Sequence, residues 1–293
     1  MTFRSGVVAV LGRPNVGKST LVNTLVGEKV AIVSDKPQTT RRDIRAIRTT
    51  DEHQIVFTDT PGFHKPRTLL GSRLNALVGE AAAGVDVIVQ VVDANAGVGR
   101  GDAYVFERHV RGSGIPAICA VNKVDLLRGR REVPQLQAAA DLGSFDEIVP
   151  ISARNGRGLE VLLGLVVERL PEGPLLYPSD EVTDLPLEVR VAELVREQAL
   201  AAMRQEVPHS VAVVVEDLED QGGLTRVSAS LVVERDSQKG IVIGRGGTVL
   251  KAIGSGAREQ IEALLGTRVF LDLRVKVVKE WQRDPKALER LGF

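Results

Sequence analysis

The sequence predicts two domains in tandem: an α/β domain with a mostly parallel sheet over residues 1–173, a linker over 174–183, and an α+β domain over 184–293. Three observations carry this expectation. Short Val/Ile-rich runs alternate with longer helix-like stretches in the first part of the chain, the pattern of strands and crossover helices. Regular order then breaks at Pro171-Glu172-Gly173-Pro174, followed by Pro178, a cluster that cannot continue a helix. Beyond it the charge balance changes sign within the chain: Glu181–Gln238 holds twelve acidic against five basic residues, whereas Lys239–Phe293 holds eleven basic against six acidic. A length of 293 residues lets each half bury its own core.

In chain order, Val7–Leu11, Gln54–Thr58, Val85–Val92, Pro116–Val121 and Ile148–Ile151 read as strands of the first domain. Past the break, Leu187–Glu206 carries apolar residues at helical spacing, among them Val191, Leu194, Val195 and Met203, with Pro208 as its stop. Val211–Glu216 and Thr225–Arg235 read as two strands around a Gly222-Gly223 turn. An apolar run to Ile243, a glycine turn, a helix through Leu265 and a strand from Arg268 to Val278 complete the second domain.

Aromatic residues are scarce, at 3%, so Val, Leu, Ile and Ala must supply the core of a chain that is 43% hydrophobic. The single cysteine, Cys119, sits in the apolar run Ile115–Val121 and reads as a buried thiol, which leaves no disulfide framework within the chain. The four histidines have no metal-ligand spacing. Neither a signal-peptide pattern nor an apolar stretch long enough to span a bilayer is present, so a cytoplasmic location is expected. The basic C-terminal segment is the part suited to a polyanion.

Gly12-Arg13-Pro14-Asn15-Val16-Gly17-Lys18-Ser19 fits the P-loop pattern, directly after a strand and before a helix-like run. Such a loop turns consecutive backbone amides, here through Val16 to Thr20, toward phosphate, aided by the positive end of the following helix. Lys18 is the residue to neutralise the β and γ phosphates and Ser19 the one to ligate Mg²⁺. A second strand ends at Asp59-Thr60-Pro61-Gly62, where the carboxylate can reach Mg²⁺ and the Gly62 amide can sense the γ phosphate. Asp93 also ends a strand, but nothing after it resembles a phosphate sensor, and it reads as a cap or turn residue.

Asn122-Lys123-Val124-Asp125 follows a further apolar strand. The Asp125 carboxylate can accept both N–H donors of guanine, a pair that adenine lacks, so GTP and GDP are the expected ligands rather than ATP. Lys123 can lay its stem over the purine, and Asn122 can tie the loop to the P-loop. Ser152-Ala153-Arg154 follows the last strand and can aim the Ala153 amide at guanine O6.

This ordered set resembles the translation-factor-related P-loop GTPases, and Gln38-Thr39-Thr40-Arg41 looks like the first switch of their Era-like branch. The resemblance implies that Thr40, with Thr39 as the alternative, closes over Mg²⁺ when GTP is bound. Phe63 stands where Ras-type enzymes carry the glutamine that orients the attacking water, which predicts slow intrinsic turnover. Two substitutes are open. Asn15 occupies the P-loop place that potassium-stimulated relatives use to ligate K⁺, and a partner surface such as RNA or a ribosomal particle could order the switches instead.

Gly244-Arg245-Gly246-Gly247 lies between an apolar run ending at Ile243 and a helical stretch. A Gly-x-x-Gly turn between two helices lets a nucleic-acid backbone approach the main chain, with Arg245, Lys239 and Lys251 supplying positive charge. The element order around it matches a type II KH domain. A dinucleotide-binding loop fails on spacing, since Val249 stands where that pattern needs glycine. Ile243, Val249 and Ile253 are expected to form an apolar groove for unstacked bases, without aromatic platforms. Trp281 reads as an anchor for the final helix.

One GTPase domain followed by a type II KH domain resembles the Era family of bacterial GTPases over essentially the whole chain. That resemblance implies binding to the 3′ end of small-subunit ribosomal RNA and a GTP-dependent role in assembly of the small ribosomal subunit. A constitutive RNA chaperone is the rival reading. A tRNA-modifying GTPase of the related branch would need a further N-terminal domain and a C-terminal cysteine motif. No basic amphipathic helix supports peripheral membrane contact, and a monomer is expected.

Overall fold

A computed structural model describes residues 2–36, 38–62, 66, 68–127, 131–203 and 210–293. Phe63, His64, Pro208 and His209 lie outside the described residues, as does the end of the helical stretch expected to reach Glu206. The chain forms two compact units: residues 1–31, 40–66 and 71–184, and residues 32–39, 67–70 and 185–293.

The first unit is built on a six-stranded sheet. Along the chain run β1 (Arg4–Leu11), α1 (Lys18–Val26), β2 (Ile44–Thr49), β3 (His53–Asp59), α2 (Leu69–Ala81), β4 (Val87–Asp93) and α3 (Arg100–Val105), which continues as a π-helical turn over Phe106–Val110. Then come β5 (Ala117–Asn122), α4 (Glu132–Ala140), β6 (Glu147–Pro150) and α5 (Leu159–Arg169). The sheet order is β2-β3-β1-β4-β5-β6, with β2 antiparallel to β3 and every other neighbouring pair parallel. Parallel strands covered on both faces must be apolar throughout, and all residues of β4 and β5 are buried. Cys119 lies inside β5, and burial pushes its thiol up to about 12, so it is a packing residue.

Strand β2 is an addition to the sequence reading, which placed nothing regular between the first switch and Gln54. Arg45 and Arg48 interrupt its apolar residues, so only pairing with β3 makes it a strand. The segment read as a linker is held on this unit: Gln54 Oε1 accepts from the Leu176 and Tyr177 amides at 2.7 and 2.9 Å, and Ile47 N donates to Val182 O at 2.9 Å.

The second unit holds α6 (Leu187–Ala202), β7 (Ala212–Asp220), β8 (Leu224–Val233), α7 (Asp236–Ile243), a 3₁₀ turn (Arg245–Gly247), α8 (Thr248–Leu265), β9 (Arg268–Val277) and α9 (Pro285–Arg290). Strand β8 is central, antiparallel to β7 and parallel to β9. The order is the expected one, although α6 ends at Ala202 and β7 runs on to Asp220. Val249, Ile253, Ala257 and Ile261 recur every four residues along α8, and this stripe packs with Val191, Val195, Val227 and Leu231 to form the core. Trp281 is fully buried, donates from Nε1 to Ser210 O at 3.1 Å and stacks on Phe293, which makes it an anchor. Residues 32–39 are fastened here too: Val33 N donates to Glu197 Oε1 at 2.8 Å, and the buried Arg196 guanidinium donates to Thr39 O.

Candidate functional site

Four loops meet at the C-terminal ends of the parallel strands of the first unit, the edge at which open α/β sheets hold ligands. The loop after β1 is shaped by backbone conformations that few residues adopt: Asn15 has φ 63° and Gly17 φ 101°. A Cβ on Gly17 would lie 2.4 Å from Asn122 Nδ2, so conformation and space both demand glycine there. Helix α1 starts immediately after Gly17, leaving its first amides unpaired within the helix.

Lys18 is only 6% exposed, and its ammonium donates to the carbonyls of Gly12 at 3.2 Å and Arg13 at 3.1 Å. Burial lowers its pKa to about 8, with Asp59 pulling the other way. Asp59 ends β3, is fully buried, and has its pKa raised by that burial against the opposing effects of Lys18, Ser19 and Thr40. Ser19 Oγ donates to Asp59 Oδ2 at 2.6 Å, and Thr40 Oγ1 donates to the same oxygen at 3.1 Å. The two hydroxyls are 3.0 Å apart. Asp59 Oδ1 is buried and accepts no hydrogen bond among the described residues. Of the two candidate threonines, Thr40 joins this cluster, while Thr39 Oγ1 donates to Lys36 O at 2.6 Å. Gly62 lies against Pro14 of the first loop.

The loop after β5 is tied to the first one. Asn122 Nδ2 donates to Val16 O at 2.9 Å, and Lys123 Nζ donates to Asn15 O at 2.6 Å. Asp125 stands exposed on a 3₁₀ turn over Val124–Leu126. Ser152 and Ala153 are buried after β6, Arg154 is exposed, and Ala153 O accepts from Thr24 Oγ1 of α1, four residues beyond Thr20. The Ala153 amide, expected to face guanine O6, donates to Asn122 Oδ1 at 2.9 Å, a bond that braces the two base-side loops together.

Two groups escaped the sequence reading. Asp93 is the turn residue expected, since Oδ1 accepts from Asn95 N and Ala96 N, but Oδ2 also takes Lys123 Nζ at 2.6 Å. The available signal was that Asp93 ends a strand next to β5, directly across from Asn122. Arg13 donates to the buried Asp102 at 2.7 Å and to Gly97 O at 2.9 Å, fixing the P-loop to the start of α3. No short motif announces that pair.

A second candidate site lies in the other unit. A groove of about 420 Å³ runs between α8 and β9, lined by Gly247, Leu250, Lys251, Gly254, Arg258 and Phe270, with Leu271 and Leu273 as apolar walls. Gly244, Arg245 and Gly246 form the turn that leads into it, Ile243 ends α7, and Lys239 lies one turn earlier on α7. Gly246 has φ 61°, a left-handed conformation that a side chain would strain. Lys251, Arg245 and Arg258 are exposed. One correction applies. Ile253 is buried in the core and Val249 packs against it, so the groove uses the neighbouring face of α8. Phe270 borders the groove through its place on β9, but alternation along the strand sets its ring on the opposite face of the sheet, over Arg226, so the walls are aliphatic.

Among the described residues there is no cluster of three or more His, Cys, Asp or Glu able to hold a metal ion, and no helix long and apolar enough to cross a membrane.

The sequence family described as 50S ribosome-binding GTPase matches residues 7–123, and the KH domain family matches residues 206–282. GTPase Era of Mycolicibacterium smegmatis is 52% identical, with 99% of both chains covered, and GTPase Era of Mycobacterium tuberculosis H37Rv is also 52% identical at 99% coverage of both. Among solved structures, a variant of Aquifex aeolicus Era bound to GDP.AlF4⁻ superposes with a TM-score of 0.96 at 36% identity, covering 99% of both chains. Era in complex with MgGDPNP and nucleotides 1506–1542 of 16S ribosomal RNA superposes with a TM-score of 0.95, again at 36% identity and 99% coverage of both.

Proposed function

Since the chain belongs to the Era family of GTPases, we propose that it is a GTP-hydrolysing switch that holds the single-stranded 3′ end of small-subunit ribosomal RNA and assists assembly of the small ribosomal subunit. The observation that carries the GTPase part is the meeting of Ser19, Thr40 and Asp59 oxygens within 3.1 Å of one another, beside a buried lysine. Two hydroxyls and a carboxylate are hard oxygen donors of the kind Mg²⁺ takes, and the unpartnered Asp59 Oδ1 leaves acceptor capacity in the cluster. Ser19, Thr40 and Asp59 are therefore the residues assigned to Mg²⁺, which when bound neutralises charge on the β and γ phosphates.

The chain's own groups supply the rest. Lys18 exchanges the Gly12 and Arg13 carbonyls for phosphate oxygens, and amides from Asn15 to Thr20 receive the phosphates at the start of α1. Gly62 N senses the γ phosphate. Asp125 accepts from guanine N1 and N2, Lys123 covers the purine, and Asn122 holds Val16 and Ala153 so that the base loops stay in register. Slow intrinsic hydrolysis is assigned because Phe63 takes the water-positioning place. We assign the acceleration to K⁺ through Asn15, with a partner surface as the alternative; equal rates in KCl and NaCl would exclude K⁺.

For RNA, the glycine turn, the basic rim and the apolar groove supply the features a KH module uses. The family description that matches residues 7–123 names the 50S ribosome, but the match ends well before residue 185, where most of the second unit begins. The relative crystallised with 16S ribosomal RNA matches along both units, which favours the small subunit. We assign 1–173 to the GTPase domain and 184–293 to the KH domain, and place a monomer in the cytoplasm with its ribosomal partner. Thr40 follows directly on residues 32–39 of the second unit, so ordering Thr40 on Mg²⁺ acts on the chain that leads there. Hydrolysis of GTP by the purified protein should require Mg²⁺ and vanish in Asp59→Asn; an unchanged rate in that variant would contradict the assignment.

A further inference from the structure

We propose that Arg196 of α6 is a positioning residue for the GTPase reaction: by holding the Thr39 carbonyl it places Thr40 for Mg²⁺, and it ties that placement to the helices of the RNA-binding unit. The proposal rests on the GTP-switch reading above and deepens it by naming the group that receives the switch. A buried ion pair on one helix is weak evidence by itself, because desolvation offsets most of its Coulomb gain. Three features separate Arg196 from that ordinary case. Its side chain is 1% exposed and donates to both oxygens of Glu193, from Nε at 2.8 Å and from Nη2, yet Nη2 also donates to Thr39 O on a distant stretch of chain. The third nitrogen, Nη1, is buried as well and has no hydrogen-bond partner among the described residues. The next residue, Glu197, accepts from Val33 N at 2.8 Å, so neighbouring residues of α6 hold the segment 32–39 near both of its ends.

One planar group carries the effect to the nucleotide cluster. Thr39 C=O and Thr40 N–H belong to the same peptide plane, so a bond that fixes the carbonyl oxygen also fixes the direction in which Thr40 leaves. Thr40 Oγ1 then stands 3.0 Å from Ser19 Oγ and 3.1 Å from Asp59 Oδ2. Only rotation about the N–Cα and Cα–Cβ bonds of Thr40 separates the anchored peptide from that hydroxyl. In the other direction, Val191, Val195 and Ala199 of α6 share a core with Ala257 and Ile261 of α8, and a Cβ on Gly256 would come within 2.4 Å of Gln198 Oε1. Close packing of this kind passes a shift of α6 on to α8, whose Leu250, Gly254 and Arg258 line the groove. The unpartnered Nη1 offers the guanidinium a further donor for a main-chain carbonyl, so Arg196 can hold the segment in two positions as the nucleotide changes.

The test measures the affinities of the full chain for fluorescent GDP and for a fluorescent non-hydrolysable GTP analogue, both with Mg²⁺. Arg196→Met combined with Glu193→Leu removes the pair and leaves no uncompensated buried charge, so the fold is kept while the Thr39 anchor is lost. The preference for the analogue over GDP should fall about five-fold or more in this double variant, with GDP affinity unchanged. Arg196→Lys supplies a point charge without the fork that reaches Glu193 and Thr39 together, and should lose part of that preference. With a labelled RNA corresponding to nucleotides 1506–1542 of 16S ribosomal RNA, the ratio of affinities in the two nucleotide states should fall towards one in the double variant, while affinity with GDP stays that of the parent. An unchanged nucleotide preference would overturn the proposal. An equal loss for GDP and the analogue would overturn it too, since that marks a residue that only holds the fold. If the parent's own RNA affinity is the same in both states, the tie to RNA falls together with the switch reading, and the nucleotide preference alone decides whether Arg196 positions Thr40.

Discussion

The molecule handles phosphate chemistry in two physically opposite ways. In the first unit the charges are sealed inside: Lys18 and Asp59 are both buried, and burial displaces both pKa values toward the neutral forms. In the second unit the charges stand in water, with Lys251 and Arg258 exposed over an apolar groove. A buried charge has no solvent to replace a lost partner, so each group is obligatory and coupled to protons. An exposed cation is screened and partly interchangeable with its neighbours, so its effect is small and depends on salt. Specific, stoichiometric nucleotide capture belongs to the first arrangement and adaptable strand holding to the second.

The largest effect should come from Lys18→Ala, which leaves Asp59 buried without its counter-charge and removes the phosphate partner. Nucleotide affinity should fall by about a hundred-fold or more, on the scale of the roughly 3–5 kcal/mol that breaking a buried pair costs. Titration with a fluorescent GDP analogue reads this, and a loss under three-fold would mean the buried site does not work as described.

The next effect is one of pH. In the free protein Lys18 loses its proton above about 8, whereas bound phosphates hold it protonated. Affinity should be flat in this group below pH 8 and then fall by about ten-fold per pH unit as binding takes up a proton. Stability of the nucleotide-free protein should move the other way. The unfolded lysine, near 10.5, binds more protons than the folded one between about 8 and 10.5, so this group's contribution rises with pH there.

Smaller still is Asp93→Asn. It removes a partly exposed pair with Lys123, which Asn15 O continues to hold, and should weaken guanine nucleotide binding only a few-fold. The smallest change should be Lys251→Ala, which should cost a few-fold in RNA affinity. It should also reduce the slope of log affinity against log salt by about 0.7, the loss of one phosphate contact on a single strand. An unchanged slope would remove Lys251 from the strand path.

The two regions also differed in how legible they were in the sequence. Apart from Thr40, which was read from a resemblance to a first switch, every group of the nucleotide cluster sits in a contiguous motif at a strand end, and strand ends announce themselves through runs such as Val7–Leu11 and Ile115–Val121. What the motifs did not show was relational: Asp93 finds Lys123, and the Ala153 amide finds Asn122, through the register of neighbouring strands, which no single motif encodes. The expected order of an α/β domain and an α+β KH domain is the fold found, while β2 was missed because its pairing with β3 overrides the arginines that interrupt its apolar pattern. In the groove, the glycine turn was legible and the walls were not. Val249 and Ile253 share a helical face, but that stripe continues through Ala257 and Ile261 into the core. The face formed by Leu250, Gly254 and Arg258 is the one that opens, and its far wall comes from β9, outside the reach of local reading.

The central claim is that the two arrangements are coupled, with the nucleotide state of the first unit setting the RNA affinity of the second. Its most direct test is the affinity for a labelled RNA corresponding to nucleotides 1506–1542 of 16S ribosomal RNA, measured with GDP and with a non-hydrolysable GTP analogue plus Mg²⁺. Binding should be tighter with the analogue and lost in Gly246→Asp. Equal affinity in the two nucleotide states would contradict the switch and leave a GTPase and an RNA-binding module that merely share a chain.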